Sequence, residues 1–299
     1  MVAYLDSFLD AMGGIPGWFS TDDARMFCVV NDAQLAAGVA GDLLEVGAYL
    51  GKSAILLGHL VQPRETLRVI DPWEAEVPTE ENTREQGTYY SDVTLAAFKA
   101  NYLRFHTTLP DIRQGVSTAL LPDLASETYR LIHIDGSHDW PVVRQDVAHV
   151  LRLLQPGGIA VFDDMFARHT PGVPAAVWPA VVGGDLIPIA TTAKLYAMRP
   201  PADALDPVRT AIREAPGLTV NYEHTIAATS MLGVEVGHTQ VRLPETVRRF
   251  VPPALLDTRL VRRLSRFAHE RLDQPLRAPG HHDASRQSAA RFPSTGTWP

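Results

Sequence analysis

Four side chains that could hold a cation and move a proton follow two apolar runs near the middle of the chain. Asp135 and His138 follow one run in LIHIDGSHDW, and Asp163 and Asp164 follow the next in IAVFDDMF. If those runs are neighbouring parallel strands, their C-terminal ends lie side by side and the four groups converge. Clustered carboxylates repel one another unless a cation or a protonated partner joins them. A hard divalent ion such as Mg²⁺ would suit Asp135, Asp163 and Asp164, and held against two adjacent hydroxyls it would lower their pKa. His138, whose ordinary pKa lies near neutrality, would then take the proton as general base. The competing reading is structural, because carboxylates at strand ends also cap turns and helices. His133 alternates with Ile132 and Ile134 inside the same run and is expected to be structural.

A second constellation lies upstream, where Glu45-Val46-Gly47-Ala48-Tyr49-Leu50-Gly51 leads into an apolar helical pattern at Ser53. Gly47 permits a tight turn, Gly51 permits close approach, and the helix start offers N–H groups with a positive dipole end. The spacing is not the dinucleotide G-x-G-x-x-G, and Glu45 just before the first glycine would repel a pyrophosphate while attracting a cationic amino group. Asp71 ends the following apolar run, where a carboxylate can accept both hydroxyls of a ribose. A nucleoside carrying a charged amino-acid arm satisfies all of these, and S-adenosylmethionine is such a ligand.

These residues need a frame to hold them. Short apolar runs at 43–46, 67–70, 112–114, 129–134 and 159–162 alternate with helical patterns at 53–60, 93–103 and 142–154. The alternation predicts an α/β fold, a doubly wound and mostly parallel Rossmann-like sheet with helices on both faces. Runs at 186–189 and 194–198 predict a closing hairpin across Thr191-Thr192. Residues 1–40 form a helical N-terminal segment, with Ser20-Thr21-Asp22-Asp23 capping a helix over 24–39. The polar stretch 73–92 interrupts the α/β pattern as a lid or binding loop. Tyr89, Tyr90 and Trp140 are candidate pocket walls, with ordinary packing as the alternative. A ligand-binding domain over 41–200 is followed by an extension over 201–272, with helical signals at 208–214 and 245–250, and by a polar tail over 273–299 expected to be disordered.

Composition narrows the partners. Acidic residues outnumber basic ones 34 to 27 in the 299 residues, and the one dense basic stretch is 259–271, so no nucleic-acid partner is expected. That stretch is amphipathic. It docks on a partner subunit, as in a homo-oligomer, or on an anionic surface, or else packs on its own domain with a solvated basic face. A single cysteine, Cys28, allows no disulfide within the chain, and no apolar run reaches the length of a bilayer span. With no signal-like N-terminus, a cytoplasmic enzyme without a membrane partner is expected.

IPGWFS at 15–20, GDLLEVGAYLGKSA at 41–54, VIDPW at 69–73, HIDGSHDWPVVRQD at 133–146 and LQPGGIAVFDD at 154–164 together resemble the class I methyltransferases of the methyltransferase domain 24 group. That group is related to bacterial sugar and natural-product O-methyltransferases. The resemblance implies that the glycine turn, with Glu45, Gly47, Tyr49, Gly51 and Ser53, receives the methionine arm of S-adenosylmethionine. It implies Asp71 on the ribose, Gly115, Val116 and Ser117 near the adenine, and Asp135 at the edge of the same cleft. It further implies Mg²⁺ on Asp135, Asp163 and Asp164, and His138 as base toward a hydroxylated small-molecule acceptor. Two other readings stay open: a non-catalytic nucleotide-binding protein, and a nicotinamide-dependent oxidoreductase on the same fold.

Overall fold

A computed structural model describes residues 3–77, 93–226 and 229–236. The chain divides into units of residues 1–237 and 238–299, and every described residue lies in the first. Tyr89, Tyr90, the helical signal at 245–250, the basic stretch 259–271 and the tail beyond 272 lie outside the described residues.

Nine strands form one sheet: β1 (Asp42–Val46), β2 (Leu67–Asp71), β3 (Asp111–Gln114), β4 (Tyr129–Ile134), β5 (Leu154–Phe162), β6 (Ile187–Thr191), β7 (Leu195–Met198), β8 (Leu218–Ile226) and β9 (Thr229–Val236). Their order is β3-β2-β1-β4-β5-β7-β6-β9-β8. The first five run parallel, β7 runs antiparallel to β5, and β6 completes the predicted hairpin with it. The helices are α1 (Ala3–Ala11), α2 (Thr21–Ala36), α3 (Lys52–Leu60), α4 (Leu95–Tyr102), the single turn α5 (Ser117–Leu120), α6 (Trp140–Leu153), α7 (Gly172–Val182) and α8 (Leu205–Glu214). The chain is thus the doubly wound, mostly parallel sheet that the alternation of runs implies. Past residue 200 it also adds α8 and the hairpin β8–β9, whose β9 pairs in parallel with β6.

Strand periodicity sorts the core into two layers. Leu43, Leu131 and Val161 pack with α1, α2, α3 and α8, while their neighbours Leu44, Ile132 and Phe162 pack with α6 and α7. Both faces are covered, which is why the strands read as continuous apolar runs. Helix α2 begins at Thr21, three residues before the apolar periodicity. Ser20 closes a capping box with Asp23: the Asp23 N–H donates to Ser20 Oγ at 3.0 Å and the Ser20 N–H to Asp23 Oδ2 at 3.1 Å.

Candidate active site

Register sets the level of the site. Val46 pairs with Ile134 and Ile134 with Phe162, so the next residues, Gly47, Asp135 and Asp163, leave the sheet along one line. The ladder continues one bond further: the Asp135 N–H donates to the Val46 carbonyl at 2.8 Å and the Asp163 N–H to that of Ile134 at 3.0 Å. Gly47 has φ 83°, and a Cβ there would lie 2.0 Å from the Asp135 carbonyl oxygen, so the glycine turn seats directly against the loop after β4.

That turn is tied down on several sides. The Asp71 carboxylate accepts the N–H groups of Ala48 at 2.7 Å, Tyr49 at 3.0 Å and Trp73 at 2.6 Å. Burial raises Asp71 to about 6 despite those bonds. The Trp73 indole donates to the Tyr49 carbonyl and Asn101 to that of Leu50, each at 3.0 Å. Lys52 donates to the Gly17 carbonyl at 2.6 Å, and Trp18 leans on Tyr49 with ring centroids 5.4 Å apart. Gly51 caps α3 at φ 91°, and the space its side chain would need is taken by the Phe98 ring, 3.0 Å away, so the close approach is that of α4. No side chain caps the first turn of α3. Along the same edge the Gly115 N–H donates to the Asp71 carbonyl at 3.0 Å, which brings Gly115, Val116 and the buried Ser117 beside the ribose carboxylate of the sequence reading. Asp146, buried on α6 beside Ser117, is raised by burial to about 7.

Glu45 and His133 face each other across β1 and β4, wholly buried, with His133 Nδ1 3.0 Å from Glu45 Oε1. Burial raises Glu45 to about 8 and drives His133 well below its usual value. Both shifts favour the neutral forms, and a hydrogen bond joins Glu45 Oε1 and His133 Nδ1. Glu45 is wholly buried on β1, two residues before Gly47. His133 sits at the site as well as in the core, its Nε2 3.8 Å from Asp135 Oδ2.

The carboxylates after β4 and β5 meet a cation that the motifs did not announce. Lys194, 1% exposed, bonds through Nζ to Asp163 Oδ2 and stands 3.7 Å from Asp135 Oδ2. Its ammonium also lies 5.9 Å from the centre of the Phe19 ring and feels the buried Asp23 of α2. Burial would raise Asp163, but the charge and hydrogen bond of Lys194, together with a hydrogen bond from Asp135 and the neighbouring His133, hold the group below the carboxylate range. Burial and the Asp163 charge push Asp135 well above it. Antiparallel pairing could have found Lys194 in the sequence. Leu195 pairs with Phe162, so the residue before β7 must flank the residue after β5. Lys194 also keeps the alternation of Tyr196 and Met198, which face α2.

Asp164 turns away from this cluster. Its Oδ2 lies 2.8 Å from His138 Nε2, and His138 holds it below the carboxylate range although burial opposes this. A small pocket runs past Asp135, Ser137, His138, Val143, Asp163 and Asp164. Trp140, the first residue of α6, and Phe166, 46% and 53% exposed, each stand two residues past His138 and Asp164, and the Arg144 guanidinium lies 5.2 Å from the centre of the Trp140 ring. The side-chain atoms of His133, Asp135 and Asp163 come within 4.8 Å of one another, whereas Asp164 is outside that group.

Residues 44–165 match the family model described as a methyltransferase domain. Among solved structures, the chain is similar to the O-methyltransferase NovP at 16% identity and a TM-score of 0.50, over 66% of this chain and 98% of that one. It is also similar to the calicheamicin methyltransferase CalS11, at 13% identity and TM-score 0.47 over 66% and 91% of the two chains. The SAH-bound Podospora anserina methyltransferase PaMTH1 aligns at 15% identity and TM-score 0.43 over 67% and 88%. No curated protein matches the chain in sequence.

Proposed function

Residues 44–165 being a methyltransferase domain, we propose that the chain methylates a hydroxyl oxygen of a small molecule, a sugar or natural product, with S-adenosylmethionine as donor and His138 as base. The observation that carries this reading is the His138–Asp164 pair, 2.8 Å apart on the pocket wall one strand away from the glycine turn. The glycine turn fits the donor: its loop is fixed by Asp71, and the N-cap of α3 is a glycine, so the helix start offers backbone N–H groups to a carboxylate. When bound there, S-adenosylmethionine supplies a methyl group on a positively charged sulfur.

The residues around it align the acceptor and move one proton. Asp164 lies 2.8 Å from His138 Nε2 and orients the ring. The imidazole would take the acceptor's hydroxyl proton as the oxygen's electron pair forms the new C–O bond. A donor bound there would supply the methyl group and depart with the S–C electron pair, and the imidazolium would be balanced by Asp164. Trp140 and Phe166 offer apolar faces to a ring-bearing acceptor.

Mg²⁺ on Asp135, Asp163 and Asp164 does not fit the site as folded. Asp163 Oδ1 accepts the Asp164 N–H at 2.7 Å and Oδ2 holds Lys194, while Asp164 Oδ2 serves His138. The third side chain near Asp135 and Asp163 is an imidazole, a poor partner for a hard ion. No step is routed through a metal. No described helix is long and apolar enough to cross a membrane, and the buried lone thiol of Cys28 suits a reducing cytoplasm.

The test is acceptor-dependent release of S-adenosylhomocysteine over a panel of sugars and glycosides, with calorimetry of donor binding alongside. His138→Gln should lower kcat by ~10²–10⁴ and leave the donor Kd unchanged. Donor binding without turnover on any acceptor would favour the non-catalytic reading, and heat from NAD but not from S-adenosylmethionine would favour the oxidoreductase.

A further inference from the structure

We propose that Lys194 is the resident cation of the carboxylate cluster, standing where a divalent ion would otherwise bind, so that the site works without one. The proposal rests on the transferase reading for its chemistry and on the coordinates for the placement. Three carboxylates approach one ammonium from two layers: Asp163 and Asp135 from the strand ends of the sheet, and Asp23 from the first turn of α2. Asp23 and Lys194 are 5% and 1% exposed, so the charge is enclosed by protein. Buried charge of this kind persists only when paired, and here each side supplies what the other needs.

The pairing also consumes the ligand atoms. Mg²⁺ requires near-octahedral oxygen at ~2.0–2.1 Å. Asp163, the central carboxylate, has one oxygen on a backbone N–H and the other on Lys194. Asp164 is drawn to His138, and the nearby imidazole of His133 is bonded to Glu45 through Nδ1. An entering ion would have to displace a buried ammonium group from Asp163.

Lys194 touches neither pocket nor acceptor, so it is a positioning residue. It fixes Asp163, the pocket-wall carboxylate whose backbone leads directly into Asp164 and so into the His138 pair. The length of the Lys194 side chain, rooted in the turn between β6 and β7, sets how far Asp163 stands from the sheet edge.

The decisive measurement is Mn²⁺ binding to the EDTA-treated protein, followed by the electron paramagnetic resonance signal of the free ion, with calorimetry of S-adenosylmethionine on the same sample. The wild-type protein is expected to bind no stoichiometric Mn²⁺, and its turnover to change less than twofold between EDTA and Mg²⁺. Lys194→Ser, which removes the ammonium and leaves its space, should gain a Mn²⁺ site at least tenfold tighter than any in the wild type and a turnover that Mg²⁺ partly restores. Lys194→Arg, keeping charge, should bind no Mn²⁺. Stoichiometric Mn²⁺ binding to the wild type that Asp163→Asn abolishes, or wild-type turnover lost in EDTA and restored by Mg²⁺, overturns the proposal. The wild-type arm needs no variant to fold. If S-adenosylmethionine gives no heat while Mn²⁺ still fails to bind, the transferase reading falls and the assignment of Lys194 stands.

Discussion

At the scale of single residues, the site is built of groups with two duties. Asp71 illustrates this. The sequence places it where a ribose is held, and the structure adds that its carboxylate already accepts three backbone N–H groups, two of them from the glycine turn. A carboxylate has about four acceptor positions, so one direction stays available to a hydroxyl without breaking the turn. Asp71→Ala should therefore fail twice. Each buried N–H left without an acceptor costs ~1–3 kcal/mol, so Tm should drop in the absence of any ligand, and S-adenosylmethionine affinity should fall more than tenfold as the turn loosens. Asp71→Asn, which keeps one oxygen, should lie between the two. Thermal melts paired with calorimetry decide the matter: affinity lost at unchanged Tm would mean that the carboxylate serves the ligand alone. Asp135 and Asp163 divide their duties differently. They stand one residue past paired strand ends, yet Lys194 helps to hold Asp163 below the carboxylate range while burial and the Asp163 charge hold Asp135 above it.

At the scale of elements, register rather than loop design brings the site together, and glycine makes the contact possible. Gly47 has φ 83° and no room for a Cβ beside the Asp135 carbonyl. Gly47→Ala must either push the loop after β4 outward or leave the left-handed region, each at a cost of ~1–3 kcal/mol. Its urea midpoint should fall with the m-value unchanged, and turnover should fall further than stability, because the displaced loop carries Asp135 and His138. An unchanged midpoint would show that the turn yields without strain. The same register explains what could be read from the sequence. Parallel strands buried on both faces announce themselves as apolar runs, and β4 occupies the run predicted for it, Tyr129–Ile134. Strand β8 gave no such signal, since most of its side chains are exposed and its one strand partner is β9. Helix α7 escaped because a nearly uniform apolar stretch with an internal proline, Pro179, shows no helical period. Lys194 escaped for a topological reason: a lone lysine in a turn gains meaning only once β7 is laid antiparallel against β5.

At the scale of the whole molecule, folding encloses many ionisable groups, and their sum fixes how stability follows pH. Burial raises Asp71 to about 6, Asp146 to about 7 and Glu45 to about 8, and raises Asp23 and Asp135 too. Burial also lowers His59 to about 4 and lowers His106, His133 and His149. A raised carboxyl holds a proton in the folded state that the unfolded chain has released, so stability falls as pH climbs from its unfolded to its folded value. A lowered histidine acts in the opposite sense, and stability rises with pH until about 6.5. Below 6.5 the two sets oppose each other. Above it the histidines are neutral in both states, and the raised carboxyls act alone. Tm should therefore decline from pH 6.5 toward pH 8, with Glu45 contributing a loss of about 2 kcal/mol over that interval, at ~1.4 kcal/mol per pH unit. Glu45→Gln offers the sharpest check, because its amide still donates to His133 Nδ1 but cannot ionise. The variant should match the wild type below about pH 4.5, where the unfolded chain holds the proton too, and gain on it progressively as the pH climbs to 8. Parallel melting curves with no divergence between those values would mean that Glu45 ionises in the fold as readily as in water, and that the neutral Glu45–His133 pair is not its resting state.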